Sequence, residues 1–211
     1  MIKASMVDRH FQLQHRIDKE LIMSFKEKVN MADVSTASVG RGASHDEVTS
    51  IAGYYEVECH GADGALKWKD DIHNLVTTVG KNKTMDTVLG NTAGGAIVMG
   101  LKGTGTAAVG DTQASHGTWN EVGGTNAPTY TGNRLTPSFS AASAGAKATS
   151  AAVVFTMSGS GTVAGCFINI GGSATKDDTT GTLFSAGDFT AGSKSVTSGD
   201  TLSVTYTATA A

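Results

Sequence analysis

Tyr55-Glu-Val-Glu-Cys-His-Gly-Ala-Asp-Gly-Ala-Leu-Lys-Trp-Lys69 is the stretch from which the fold can be read. Tyr55, Val57 and Cys59 alternate with Glu56, Glu58 and His60, the period-two pattern of a strand with one buried face. Ala62-Asp-Gly-Ala65 then supplies a hairpin, because Asp-Gly accepts the positive φ angles of a type I′ turn. Leu66 and Trp68 alternate with Lys67 and Lys69 on the return strand, and Asp71 to Val79 continue extended. The folded part of the chain therefore opens, from Gly53, with an antiparallel pair.

Downstream, residues 80–89 (Gly-Lys-Asn-Lys-Thr-Met-Asp-Thr-Val-Leu) read as a short helix, with Met85, Val88 and Leu89 on one face and Gly90 as its stop. Ile97-Val-Met-Gly-Leu101 reads as a buried strand. From residue 101 to 211, Gly, Ala, Ser and Thr make up 69 of 111 residues, against five Lys/Arg and six Asp/Glu. Disordered segments are rich in charge and poor in β-branched and aromatic residues. Here apolar clusters recur at strand spacing: Val153-Val-Phe155, Val163 with Cys166-Phe-Ile168, Leu183-Phe184, and Leu202, Val204 and Tyr206. Turn signals separate them: Ser158-Gly-Ser-Gly161, Gly171-Gly172, Gly187-Asp188 and Ser198-Gly-Asp200. Short strands at such intervals mark a sandwich or barrel. Small side chains let two sheets approach, and threonine suits a solvent-facing strand position. The expected fold is mainly β: an antiparallel β-sandwich, jelly-roll- or Ig-like, with one short helix and an N-terminal arm.

That arm occupies residues 1–52, and the sandwich 53–211. Residues 1–30 contain no Gly or Pro, and Ile17, Leu21, Phe25 and Val29 recur every four residues with Phe11 and Ile22 beside them. This predicts an amphipathic helix over 7–28. A lone helix of this length is marginal in water, so its apolar face needs a partner, and Phe11, Ile17, Leu21 and Phe25 are the expected interface. Met31-Ala-Asp has the form of an independent start, which would make the helix an upstream extension. Residues 31–52 are polar and aperiodic, an extended arm that orders only against a partner.

Composition narrows the function classes. With 211 residues, 17 % charged and 6 % aromatic, the chain is neither coiled coil nor highly charged disordered polymer. A net charge of −3 argues against nucleic-acid binding, which draws on a basic surface. No apolar run approaches a membrane span, and the N-terminus lacks the apolar core of a signal peptide. Two cysteines, Cys59 and Cys166, cannot build a disulfide framework.

The chemical motifs are weak. Gly80-Lys-Asn-Lys-Thr84 lacks the upstream Gly and the Ser/Thr directly after the first Lys of a phosphate loop. The six histidines (10, 15, 45, 60, 73, 116) and two cysteines have no metal-site spacing, so neither metal nor cofactor is expected. Asp111, Ser115 and His116 lack a nucleophile-elbow context, and read as a polar turn leading into Trp119. Asp177-Asp178 lacks the Gly and distal Glu of a calcium loop and reads as solvated. Tyr54, Tyr55, Trp68 and Trp119 read as core and interface anchors rather than a sugar platform. Without paired carboxylates or a zinc triad, a hydrolase is unsupported, and the chain reads as non-enzymatic.

The run from Tyr55 to Val76, with Trp68-x-x-x-Ile-His-Asn-Leu-Val76 at its end, resembles the opening of a family of tailed-bacteriophage structural proteins. Met99-Gly-Leu101, Ala108-Val-Gly-Asp-Thr112, Ala114-Ser-His-Gly-Thr-Trp-Asn-Glu-Val122, Gly181-Thr-Leu-Phe184 and the closing Ser198-Gly-Asp-Thr-Leu-Ser-Val-Thr-Tyr-Thr207 follow in the same order. The resemblance covers about three quarters of the chain and leaves the N-terminal arm outside. It implies a virion protein on the outer capsid surface, made in the host cytoplasm: a capsid decoration or cement protein. Its partners would be the major capsid protein and further copies of itself, as a dimer or trimer. The alternative is a tail, fibre or head–tail adaptor component, under which a host glycan or tail partner enters.

Overall fold

The computed structural model describes residues 50–90 and 92–210. The helix expected over 7–28, with Phe11, Ile17, Leu21 and Phe25, and the arm as far as residue 49 lie outside the described residues. β1 (Ile51–His60) and β2 (Leu66–Val76) form the antiparallel pair. Tyr55, Val57 and Cys59 are fully buried, as the alternation requires. β1 begins two residues upstream of the boundary expected at Gly53, because Ile51 and Ala52 pair with Ala210 and Thr209 of the last strand, β11 (Thr201–Ala210).

The hairpin is not the expected type I′ turn. Gly64 alone takes a positive φ, 78°, its N–H donates to the Gly61 carbonyl at 2.8 Å, and the register slips between Cys59 and His60. A five-residue connection with one left-handed glycine and a bulge does the work of the two-residue turn. Asp63 stabilises it by accepting the Ala65 N–H at 3.0 Å. Leu66 shares the parity of Trp68 and Ile72 but lies beyond the Cys59–Trp68 pair, so it stays exposed rather than buried.

The extended stretch expected to reach Val79 stops at Val76, and α1 (Thr78–Val88) begins behind an N-cap at Thr77, whose hydroxyl oxygen accepts the Gly80 N–H at 3.0 Å. Gly90 follows the helix at φ 78°. Met85, Val88 and Leu89, which share one face, are exposed, and Gly80 is the helix's buried residue. The cause lies in β9 (Thr182–Asp188). Its pairing with β8 (Gly165–Ile170) jumps from Ser185–Ile168 to Leu183–Asn169, leaving Phe184 as a bulge. The freed Phe184 carbonyl accepts the Thr77 N–H at 3.1 Å, and the Thr77 hydroxyl donates to the Leu183 carbonyl at 2.5 Å. Gly80 presses so close to Phe184 that a Cβ would collide with its backbone. The helix is thus anchored backbone to backbone at its first turn, and its C-terminal half leaves the core.

The remaining strands are β3 (Ile97–Lys102), β4 (Glu121–Val122), β5 (Ala146–Ala148), β6 (Val153–Thr156), β7 (Gly161–Val163) and β10 (Lys194–Val196). Every pairing is antiparallel, in the order β4-β3-β8-β9-β2-β1-β11-β5, with β6 also on β11 and β10 on β7. β2 links two strand sets: it pairs with β1 from Leu66 to Asn74 but with β9 only at Leu75 and Val76. One core cluster takes Tyr55 and Val57 from β1, Ile72 from β2, Met99 and Leu101 from β3, Phe155 from β6, Ile168 from β8, and Leu202 and Val204 from β11. β8 is covered on both faces. Cys166 and Ile168 enter that core, whereas Phe167 packs with Trp119, Leu183 and Ala186. Gly187-Asp188, expected as a turn, lies inside β9, where the missing side chain of Gly187 admits Ile72 and Asn74 of β2.

Candidate functional site

Four ion pairs tie distant segments together, and they account for most of the buried charge. Lys67 bonds Asp200 at 2.5 Å and Lys194 bonds Asp70 at 2.7 Å. Fully buried Lys102 bonds Asp188 and the carbonyls of Gly103 and Gly105. The most enclosed pair is Arg134 with Glu121, at 2 % and 4 % exposure. Arg134 Nε and Nη2 donate to the two Glu121 oxygens at 2.9 and 2.6 Å, Nη1 donates to the Ser173 carbonyl at 3.1 Å, and Nη2 also donates to the Asp178 carbonyl at 2.8 Å. Asp177 N–H donates to Glu121 Oε2 at 2.9 Å. This fork fastens the loop after β8 to β4, with the guanidinium 5.4 Å over the Phe167 ring.

Around that fork opens a cleft of about 400 Å³, lined by residues 113–117, Trp119, Asn120, Glu121, Asn126 and residues 177–179. It joins two segments that the sequence offered separately, Ser115-His116 and Asp177-Asp178. His116 stacks on Trp119 with ring centroids 4.0 Å apart and 19° between planes, and its Nδ1 lies 3.0 Å from the Trp119 carbonyl. Trp119 Nε1 donates to Asp111 Oδ2 at 2.8 Å, and Asp111 also accepts the Ala108 N–H at 2.8 Å. Asp111 therefore holds the indole, and Ser115 is no partner of His116 in a nucleophile pair. The Asp178 carboxylate is held below its ordinary range by the Thr180 hydroxyl and N–H that donate to it. Burial pushes the Lys176 ammonium down, against the pull of Glu121 and Asp177, and that ammonium donates to the carbonyls of Gly123 at 2.8 Å and Tyr130 at 2.6 Å.

The other residues singled out by sequence scatter. Tyr55 is buried with its hydroxyl 3.1 Å from Ser185 Oγ; Trp68 donates to the Ser195 carbonyl at 3.2 Å; Tyr54 meets His73 edge-on at 5.2 Å. Each anchors a different place. In Gly80–Thr84, Lys83 reaches forward to the Ala93 carbonyl at 2.6 Å, a helix tying down its own exit loop. Cys59 and Cys166 are free and buried. Among the described residues no three His, Cys, Asp or Glu side chains converge, and no helix is long and apolar enough to cross a membrane. Sequence reading passed over Gln113, Asn120, Asn126, Glu121 and Arg134. The one available signal was Arg134 itself, the lone arginine between 101 and 211, which needs a carboxylate if it is buried at all.

No protein-family model and no curated protein matches the chain.

Proposed function

We propose that this chain is a non-enzymatic structural protein of a tailed-bacteriophage virion, a capsid decoration protein that binds the assembled head and stabilises it. The observation that carries the reading is helix α1, which turns Met85, Val88 and Leu89 outward, the last two being the most exposed large hydrophobic residues among the described ones. Residues three and four apart share one helix face, and an exposed apolar face of this kind suits an interface. The resemblance of residues 55–207 to phage structural proteins supplies the partner class, the major capsid protein. The two strand sets joined by β2 fit an antiparallel β-sandwich of jelly-roll or Ig type. The amphipathic segment with Phe11, Ile17, Leu21 and Phe25 is a second capsid contact in this reading. Stabilisation follows from mass action: a protein that binds the assembled lattice and not its loosened state shifts the balance toward assembly, and repeated contacts add avidity.

Two measurements test it. Val88→Lys combined with Leu89→Lys leaves thermal stability within about 1 kcal/mol, since both sites are exposed and cations suit a helix C-terminus, and abolishes capsid occupancy. Full occupancy by that variant overturns the role of α1. Copy number in purified virions, by quantitative mass spectrometry, is expected to follow the capsid lattice; a handful of copies at one vertex replaces decoration with a tail or adaptor role.

A further inference from the structure

We propose that the cleft beside Trp119 is a receptor for a guanidinium group, presented by an arginine side chain of a partner protein. The inference stands on the cleft alone and is independent of the virion reading. Four of its side chains keep a free acceptor. Gln113 is 2 % exposed and donates through Nε2 to the Asp178 carbonyl at 3.2 Å, while its Oε1 has no partner among the described residues. A carbonyl only accepts, so the contact of His116 Nδ1 with the Trp119 carbonyl places the proton on Nδ1 and leaves the Nε2 lone pair free in the neutral ring. Asn126 donates through Nδ2 to the Glu121 carbonyl at 3.0 Å, which leaves its Oδ1. Asp177 accepts the Thr125 N–H on Oδ2 at 2.7 Å, which leaves Oδ1.

Charge points the same way. The lining carries Glu121, Asp177 and Asp178 and no Lys or Arg. Arg134 neutralises Glu121 from behind, so the excess charge belongs to Asp177 and Asp178. The Lys176 ammonium is occupied by two backbone carbonyls, and that of Lys102 by Asp188 and the carbonyls of Gly103 and Gly105. A ligand for this cleft is therefore cationic and rich in donors. Shape separates the cations: Trp119 is buried beneath His116, with the Lys102 ammonium 5.5 Å from its ring, so the stack presents the half-buried His116 imidazole, a flat surface on which a planar guanidinium with five donors can lie, whereas a compact ammonium gains less.

The test is a titration of the full chain with N-acetyl-arginine amide, followed by the indole N–H resonances. The Trp119 signal is expected to shift saturably and the Trp68 signal to stay. N-acetyl-lysine amide is expected to bind several-fold more weakly. Asp177→Asn removes the charge while keeping a side chain that tolerates the positive φ of 60° and still accepts the Thr125 N–H, and it is expected to weaken binding about five-fold. Asp178→Asn provides the same test if the first variant does not fold. No Trp119 shift at about 50 mM, which would fill a site of millimolar Kd, overturns the proposal. So does unchanged affinity in the folded variant, or stronger binding of N-acetylglucosamine.

Discussion

Replacing Arg134 by methionine tests how the cleft is built. The guanidinium is 2 % exposed and makes four hydrogen bonds, two to Glu121 and one each to the carbonyls of Ser173 and Asp178. Methionine fills much of the volume and keeps the contact over Phe167, so the main loss is electrostatic. Glu121, at 4 % exposure, keeps only the Asp177 N–H and is left as a buried charge without a counter-ion. Removing one partner from such a pair costs about 3–5 kcal/mol. For a domain of this size, each kcal/mol moves Tm by about 2–4 °C, which places the fall between roughly 6 and 20 °C. Urea denaturation measures it directly, as a lower midpoint at unchanged m value. Adding Glu121→Gln to the methionine variant removes the stranded charge and retains an acceptor for Asp177 N–H, so part of the loss returns. An Arg134→Met cost below about 1 kcal/mol, or strict additivity in the double variant, refutes the reasoning.

Three further outcomes follow from other parts of the fold. Gly80→Ala forces a methyl into the Phe184 backbone and is expected to lower stability by more than the usual surface substitution, although alanine is the better helix former; a stabilised variant would contradict the close approach. Burial pushes the Asp200 carboxyl up, but the Lys67 ammonium and the Thr197 N–H and hydroxyl outweigh it, and Asp70 is likewise pushed up by burial and pulled below its usual range by Lys194 and the Asp71 and Ala191 N–H groups. Depressed carboxyls contribute stability that is complete above the unfolded value near 4 and is lost as pH falls through the folded one, so Tm drops steeply below about pH 4. Asp200→Asn flattens that slope, and an unchanged acid profile in that variant counts against the pairing. Burial pushes the Cys166 thiol up to about 12, and burial with the Asp200 charge pushes Cys59 up to about 11, so neither reacts with a thiol reagent at pH 8 until urea unfolds the chain; prompt stoichiometric labelling of native protein would contradict this.

What the sequence disclosed was what a local period can encode. Tyr55, Val57 and Cys59 announce a buried strand face because alternation needs no knowledge of the partner. The apolar clusters between 153 and 206 announce strands in the same way, despite a composition that imitates low complexity. Alternation fails where a tertiary contact decides. Asp70 occupies an inward position of β2, tolerated because Lys194 and the Ala191 N–H reach it from β10 and the loop before it. Met85, Val88 and Leu89 form a helical stripe like any core stripe, yet the bulge at Phe184, which no local pattern encodes, sets where the helix touches the sheet.

The cleft was illegible for a stronger reason. Its walls, residues 113–126 and 177–179, are more than fifty positions apart and meet through one arginine from a third segment and through the bonds of Gln113 to the Asp178 carbonyl and of Thr125 N–H to Asp177. Each wall taken alone resembles a solvated turn, and Ser115, His116, Asp177 and Asp178 individually invite the wrong chemistry. Ser115 beside His116 suggests a nucleophile and base, but the His116 Nδ1 proton goes to the Trp119 carbonyl and the ring lies flat on the indole. Two adjacent aspartates suggest a metal ion, but Asp178 Oδ1 is taken by Thr180 and Asp177 Oδ2 by Thr125, which leaves one oxygen of each for a hydrogen-bonded cation. In a domain with few charges, each ionisable group placed in the interior fixes a loop, and recognition is left to the acceptors that remain. The same Arg134 that sets the stability therefore sets the cleft: loosening the 173–178 loop by Arg134→Met is expected to weaken N-acetyl-arginine amide binding even though Asp177 and Asp178 keep their charges, and an unaltered affinity would show that the loop holds its shape without the fork.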